Sequence, residues 1–166
     1  MSIDRRRVAF GLAAGLMVGR KLEAGHPTYA WGPLAPKEIR AADNSRIVIQ
    51  GTGTFRVKPG NPQVEGGGTW VTFTPGGVET GAGTFEVTDL LRFELAPGGA
   101  PPAFRAGLAF LDIRYSDGDE GILIYSCHLG GTPDSVFEGI NCSKGFNHYF
   151  DRVPPVGVPP FQLLDD

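Results

Sequence analysis

Gly51-Thr52-Gly53-Thr54-Phe55, Gly66-Gly67-Gly68-Thr69-Trp70 and Gly81-Ala82-Gly83-Thr84-Phe85 are three versions of one unit, spaced fifteen residues apart. Each ends in an aromatic residue and runs on into β-forming side chains. The units are separated by Lys58-Pro59-Gly60-Asn61-Pro62 and by Thr74-Pro75-Gly76-Gly77. Proline and glycine at this density mark turns. One strand plus one turn fills the repeat, which predicts consecutive antiparallel strands. Glycines inside a strand remove side chains and mark a bend, a bulge or a close backbone approach. A small barrel needs such points to curl its sheet shut; a glycine-lined ligand mouth is the functional alternative. Three units are too few for a propeller or solenoid. Gly51-x-Gly53 lacks the third glycine of a phosphate-binding loop, and no helical pattern follows it.

The flanking sequence continues in the same style. From Thr84 to Leu95 the residues alternate, placing Phe85, Val87, Asp89, Leu91, Phe93 and Leu95 on one face. Two apolar runs, Ala106 to Tyr115 and Gly121 to Leu129, are joined by Ser116-Asp117-Gly118-Asp119-Glu120, whose Asp-Gly pair is a hairpin signal. Strands are predicted over 46–57, 68–74, 83–95, 106–115, 121–129 and 136–142, with a helical turn over 144–151. The expectation is an all-β fold: a small antiparallel β-barrel, a meander of about six to eight strands, over 46–152. Residues 31–45 read as a linker. The tail 153–166, with Pro154-Pro155 and Pro159-Pro160, reads as an extended strap.

Length and composition fit one such domain. The 166 residues include 25 Gly, 14 Pro and 11 Phe, with 41% hydrophobic and 20% charged residues. That is too apolar for disorder and too rich in turn formers for a helical protein. At the N-terminus Arg5-Arg6-Arg7 precede the uncharged run Val8 to Gly19, and Thr28-Tyr29-Ala30 offers a small-residue cleavage site. This pattern predicts a signal peptide over 1–30 and a periplasmic or secreted protein. The paired arginines resemble a twin-arginine signal. The run is too short to span a bilayer. Residues 31–166 carry 10 Lys and Arg against 16 Asp and Glu, a net charge of −6. Nucleic acid and anionic membrane surfaces are thereby poor partners, because both need clustered positive charge.

Candidate chemistry rests on polar residues that strand alternation places among apolar ones. Asp89, Asp112 and His128 are the candidate acid–base groups: Asp112 shares a face with Leu108 and Phe110, and His128 with Ile122, Ile124 and Ser126. A carboxylate in an apolar lumen would have its ionised form disfavoured, which is how acid–base groups are tuned. Phe85, Phe93, Phe110, Ser126 and Glu138 are the candidate ligand-binding residues. Each has a plainer reading as a packed side chain or as a strand-end group bonded to backbone. Cys127 and Cys142 either close a disulfide or stay as two buried thiols. Cys127 and His128 are strand neighbours on opposite faces, so they form no dyad. Ser135, His128 and Asp134 have the residue types of a triad without an elbow motif. His128 and His148 do not have zinc spacing, so neither a metal nor another cofactor is expected. Asn141-Cys142-Ser143 matches a glycosylation sequon.

The stretch Ile47-Val48-Ile49-Gln50-Gly51-Thr52-Gly53-Thr54-Phe55-Arg56 resembles a strand of the dirigent and allene oxide cyclase barrels. Gly68-Thr69-Trp70 is similar to the Gly-x-Trp of lipocalins. These resemblances imply a calycin-like barrel whose lumen takes an apolar small molecule, with cyclase or isomerase chemistry; they carry no residue role across. Two further function classes stand beside that one. One is a non-catalytic exported module with a filled core that contacts a protein or a glycan through its loops. The other is a hydrolase built on His128 and Ser135. Nothing in the sequence sets the oligomeric state.

Overall fold

The computed structural model describes residues 25–99 and 103–165. Ten strands and no helix make up the described chain: β1 (Thr28–Ala41), β2 (Arg46–Arg56), β3 (Gln63–Phe73), β4 (Glu79–Leu95), β5 (Phe104–Arg105), β6 (Gly107–Tyr115), β7 (Glu120–Cys127), β8 (Gly139–Lys144), β9 (Asn147–Arg152) and β10 (Phe161–Asp165). All pair antiparallel in one sheet, and eight of them close a ring in the order β1-β2-β3-β4-β6-β7-β8-β9. Closure falls on β1. One edge pairs with β2 along most of its length, while the other takes β9 at Ile39–Ala41 and β10 at Thr28–Ala30. Strand β5 extends the sheet from β10.

The three glycine-rich units fall on β2, β3 and β4, side by side. Gly51 pairs with Gly68, Gly68 with Phe85, and Trp70 with Gly83. The missing side chains are needed for two separate reasons. A Cβ on Gly68 would stand 1.8 Å from the carbonyl oxygen of Gln50, so the backbones themselves close the space. A Cβ on Gly83 would crowd the Trp70 indole at 3.2 Å, and one on Gly51 would meet the Phe85 ring at 3.0 Å. The glycines therefore bend the sheet and admit the aromatic rings that fill it.

Those rings form a continuous file through the interior. Trp31 meets Tyr125 at 5.6 Å, Tyr125 meets Phe161 at 5.2 Å, and Phe161 meets Phe55 and Phe93 at 6.0 and 5.1 Å. Trp70, Tyr115 and Phe85 continue the packing. Strand β6 supplies Ala109, Leu111, Ile113 and Tyr115 to the inside at alternate positions. Among the described residues, two buried side-chain polar atoms lack a partner: Nε1 of Trp31 and Nε of Arg46.

Several expectations change in this light. Residues 31–41 are not linker but most of β1, with Trp31, Leu34 and Ile39 buried in the core. The signal segment expected over 1–30 lies outside the described residues up to residue 24. Its last residues belong to the sheet: Tyr29 packs 4.7 Å from Phe93, and Thr28 N–H donates to Asp165. A cut after Ala30 would remove this paired start of β1. The helical turn expected over 144–151 is instead the β8–β9 hairpin, because Gly145 (φ 56°) turns the chain back on itself. The strap expected at the C-terminus runs over 153–160, held by Lys37 Nζ on Pro155 O (2.9 Å) and by Tyr125 Oη on Pro159 O (2.6 Å). It then ends as β10, with Phe161 fully buried.

Gly68→Ala is expected to destabilise the fold by about 3 kcal/mol, the upper range for overpacking, because its contact is with backbone that cannot step aside. Gly130→Ala, with open space around it, is the control and should melt like the parent in urea titrations.

Candidate functional site

The acid–base candidates do not enter the interior. Strand β4 carries register shifts between Val87 and Asp89 and between Leu90 and Arg92. Each inserts a residue and flips the alternation, so the inward positions are Phe85, Val87, Leu90 and Phe93. Asp89 is consequently exposed and accepts the Leu90 N–H; Leu91 and Leu95 are exposed as well. Asp112 lies opposite Asp89 on the outward face of β6. Phe110 shares that face, beneath the guanidinium of Arg92 at 5.8 Å. Of the ligand-binding candidates, Phe85 and Phe93 do reach the interior, where they are packing partners in the aromatic file.

Ser126, His128 and Glu138 do come together, on the outside of β7 beneath the loop 128–138. Glu138 accepts the His128 backbone N–H at 2.5 Å and the Val158 N–H at 2.7 Å. Ser126 Oγ donates to Phe137 O at 2.5 Å. His128 Nδ1 lies 2.8 Å from Val136 O; a carbonyl only accepts, so Nδ1 carries the ring proton. His128 is thus tied to backbone, and not to Asp134 as a triad would need. The cluster braces the loop and the strap against the ring.

Cys127 and Cys142 are free and buried. Cys142 pairs with Leu123, four residues along β7 from Cys127, so their Cα atoms stand roughly 13 Å apart at strand rise, twice the reach of a disulfide. Burial pushes both thiols up to about 12.

A second cluster, at the hairpin end of the ring, went unrecognised in the sequence. Lys144 lies on the inward face of β8 after Ile140 and Cys142, and its side chain is almost fully buried. Its ammonium sits 4.4 Å from the Trp70 ring centroid and 5.1 Å from that of Tyr115. It donates to Asp117 Oδ2 at 2.5 Å and to Asp119 Oδ2. Burial opposes its charge, but the two carboxylates outweigh burial and hold Lys144 above the ordinary lysine range. Asp117 is held below 3.8 in turn, because the hydrogen bond from Lys144 overcomes its desolvation. A lysine kept charged in this way is no imine-forming nucleophile. The readable signal was a lysine ending an apolar stripe, and it was masked by the helical reading of 144–151.

Lys144 forms part of the wall of an open cleft of about 310 Å³ between the β1–β2, β3–β4 and β8–β9 turns. Hydroxyls dominate its lining: Ser45, Thr72, Thr74, Thr80 and Tyr149, beside the Asn147 amide. Thr80 Oγ1 donates to Thr72 Oγ1 at 2.9 Å, and Asp43 accepts the Ser45 hydroxyl at 2.6 Å. At the tip of the β8–β9 hairpin Phe146 is wholly exposed. Among the described residues no group of three or more His, Cys, Asp or Glu side chains is placed to hold a metal ion. Comparison with protein-family models, curated proteins and solved structures finds no match for this chain.

Two outcomes test these assignments. Both cysteines should resist a thiol reagent in the native protein and react on unfolding, with no mass change on reduction. Lys144→Met should cost about 2 kcal/mol of stability at neutral pH, the scale of a desolvated cation–π contact. The parent should lose stability as pH falls below about 3.8, where Asp117 begins to protonate, and again as pH rises above the lysine range. Thermal melts from pH 2 to 6 should show a shallower acid limb in the variant.

Proposed function

We propose that this chain is the precursor of an exported, non-catalytic binding module, a small barrel with a filled core that takes a hydroxylated ligand, a short glycan, at its hairpin end. The observation that carries this reading is the occupancy of the ring interior. An eight-stranded ring is just wide enough either to be filled by side chains or to hold one ligand. Here Trp31, Tyr125, Phe161 and Phe55 are fully buried within it. An apolar ligand of the kind that allene oxide cyclase-like and dirigent-like barrels take would have to displace that aromatic file. The hairpin-end cleft needs no such rearrangement. Its hydroxyls, amide and carboxylates are the groups that exchange hydrogen bonds with sugar hydroxyls, and Phe146 offers an exposed ring to stack on a sugar face.

Native mass spectrometry of the mature protein from its own host should give a bare mass. Calorimetric titration with glucose-, galactose- and mannose-based trisaccharides should detect binding to at least one, weakened by Phe146→Ala and by the double variant Thr72→Val/Thr80→Val. A stoichiometric apolar adduct of a few hundred daltons, or no saccharide binding, would overturn the reading.

A further inference from the structure

Across the tip of the β3–β4 hairpin from the hydroxyl-lined cleft lies a second open cleft, of about 460 Å³. The two share Pro75 as a wall. The lining of the second consists of Arg40, Asn44, Arg46, Pro75, Gly76 and Gly77, so both its charged residues are cations. This is unusual in a domain whose overall charge is negative. Arg40 and Arg46 face each other as a register pair beside the β1–β2 turn. Behind them a single carboxylate oxygen, Oε1 of Glu38, serves both guanidiniums, at 3.4 Å each. Charge-assisted pairs of full strength are several tenths of an ångström shorter.

The fold thus pairs these two cations only weakly with Glu38. It also holds Arg46 in place: its guanidinium lies over the Phe73 ring at 5.3 Å, and an added Cβ on Gly77 would come within 3.1 Å of Nη2. Nε of Arg46 is buried without an acceptor, as is Nε1 of Trp31 in the core. The cleft's own lining holds two guanidiniums and no carboxylate; the carboxylates beside it are Glu38 and Asp151, the register partner of Arg40 on β9.

We propose that the Arg40–Arg46 cleft is an anion subsite that makes the hairpin end selective for an acidic saccharide, its carboxylate or sulfate ester lying between the guanidiniums while neighbouring sugar hydroxyls reach the adjoining cleft. This inference rests on the glycan-binding reading above. It adds the ligand's charge and the residues that select it.

The test titrates the full chain with three trisaccharides: a galacturonate, a 6-O-sulfated galactose and the neutral galactose parent. Binding of an acidic probe is expected to be roughly tenfold tighter than of the neutral one, as for a charge-assisted pair. Which acid gains tells carboxylate from sulfate. Arg40→Gln and Arg46→Gln should each reduce that preference. Arg40 is the safer variant for folding because its side chain is 41% exposed, and melts check both. The Arg46 Nε–H signal in NMR spectra should shift saturably with the preferred acid and not with galactose. Equal affinity for all three, or a preference that survives both substitutions, overturns the anion subsite and leaves the glycan reading standing. Binding of none of them, with an unmoved Nε–H, overturns both.

Discussion

The volume inside an eight-stranded ring constrains everything else here. The ring admits one file of large side chains, and each bulky ring must be matched by a place on the next strand where nothing projects. Trp70 lies against Gly81 and Gly83, Phe85 against Gly51, and Trp31 against Gly53. The same glycines let β2, β3 and β4 approach closely enough to curl. Curvature and filling are one requirement met by one set of residues, so the repeat conserves both glycine and aromatic from unit to unit.

From that constraint follows the difference between the two ends. Toward one end the strap over 153–160 runs along β1 and beside the start of β8, and Lys37, Tyr125 and Glu138 spend their polar atoms on its backbone. Buried polar groups satisfied in this way rigidify a structure and leave little for a ligand. The other end is formed by tight turns, which cannot cover it. There the interior finishes in Lys144, a cation enclosed by two aromatic faces and two carboxylates, and then opens onto hydroxyls.

Chemistry divides in the same manner. The groups closest to the apolar interior have been made inert: the thiols are held protonated by burial, and the lysine is held charged by its carboxylate partners. The two arginines beside the β1–β2 turn differ in kind, since the carboxylate they share pairs with them only weakly.

How much of this was legible in advance depended on the range of the interaction. Local signals sufficed for the all-β class, for the strands of β2, β4, β6 and β7, and for the turns at 58–62, 74–77 and 116–120, because a glycine–proline break or a period of two is written within a few residues. The inward set on β4 was legible at Phe85, Val87 and Phe93 but not between Val87 and Phe93, where Leu90 and not Asp89 or Leu91 turns inward. One bulge reverses the alternation there and a second restores it, and a bulge is decided by the partner strand. Strand β1 was missed because register shifts at Trp31/Leu34 and Leu34/Lys37 break its alternation, and because two of its neighbours, β9 and β10, come from the far end of the chain. The partners of Lys144 emerge only on closure of the ring, which sets turns from four separate hairpins side by side, whereas the Arg40–Arg46 pair is local to the β1–β2 hairpin and was hidden by the linker reading of 31–45. The amino-acid sequence by itself determined where the chain bends and which residues are too large to stay outside. The tertiary structure alone decided which side of each strand faces in and which distant charges meet, because both depend on register across strands and not on order along one.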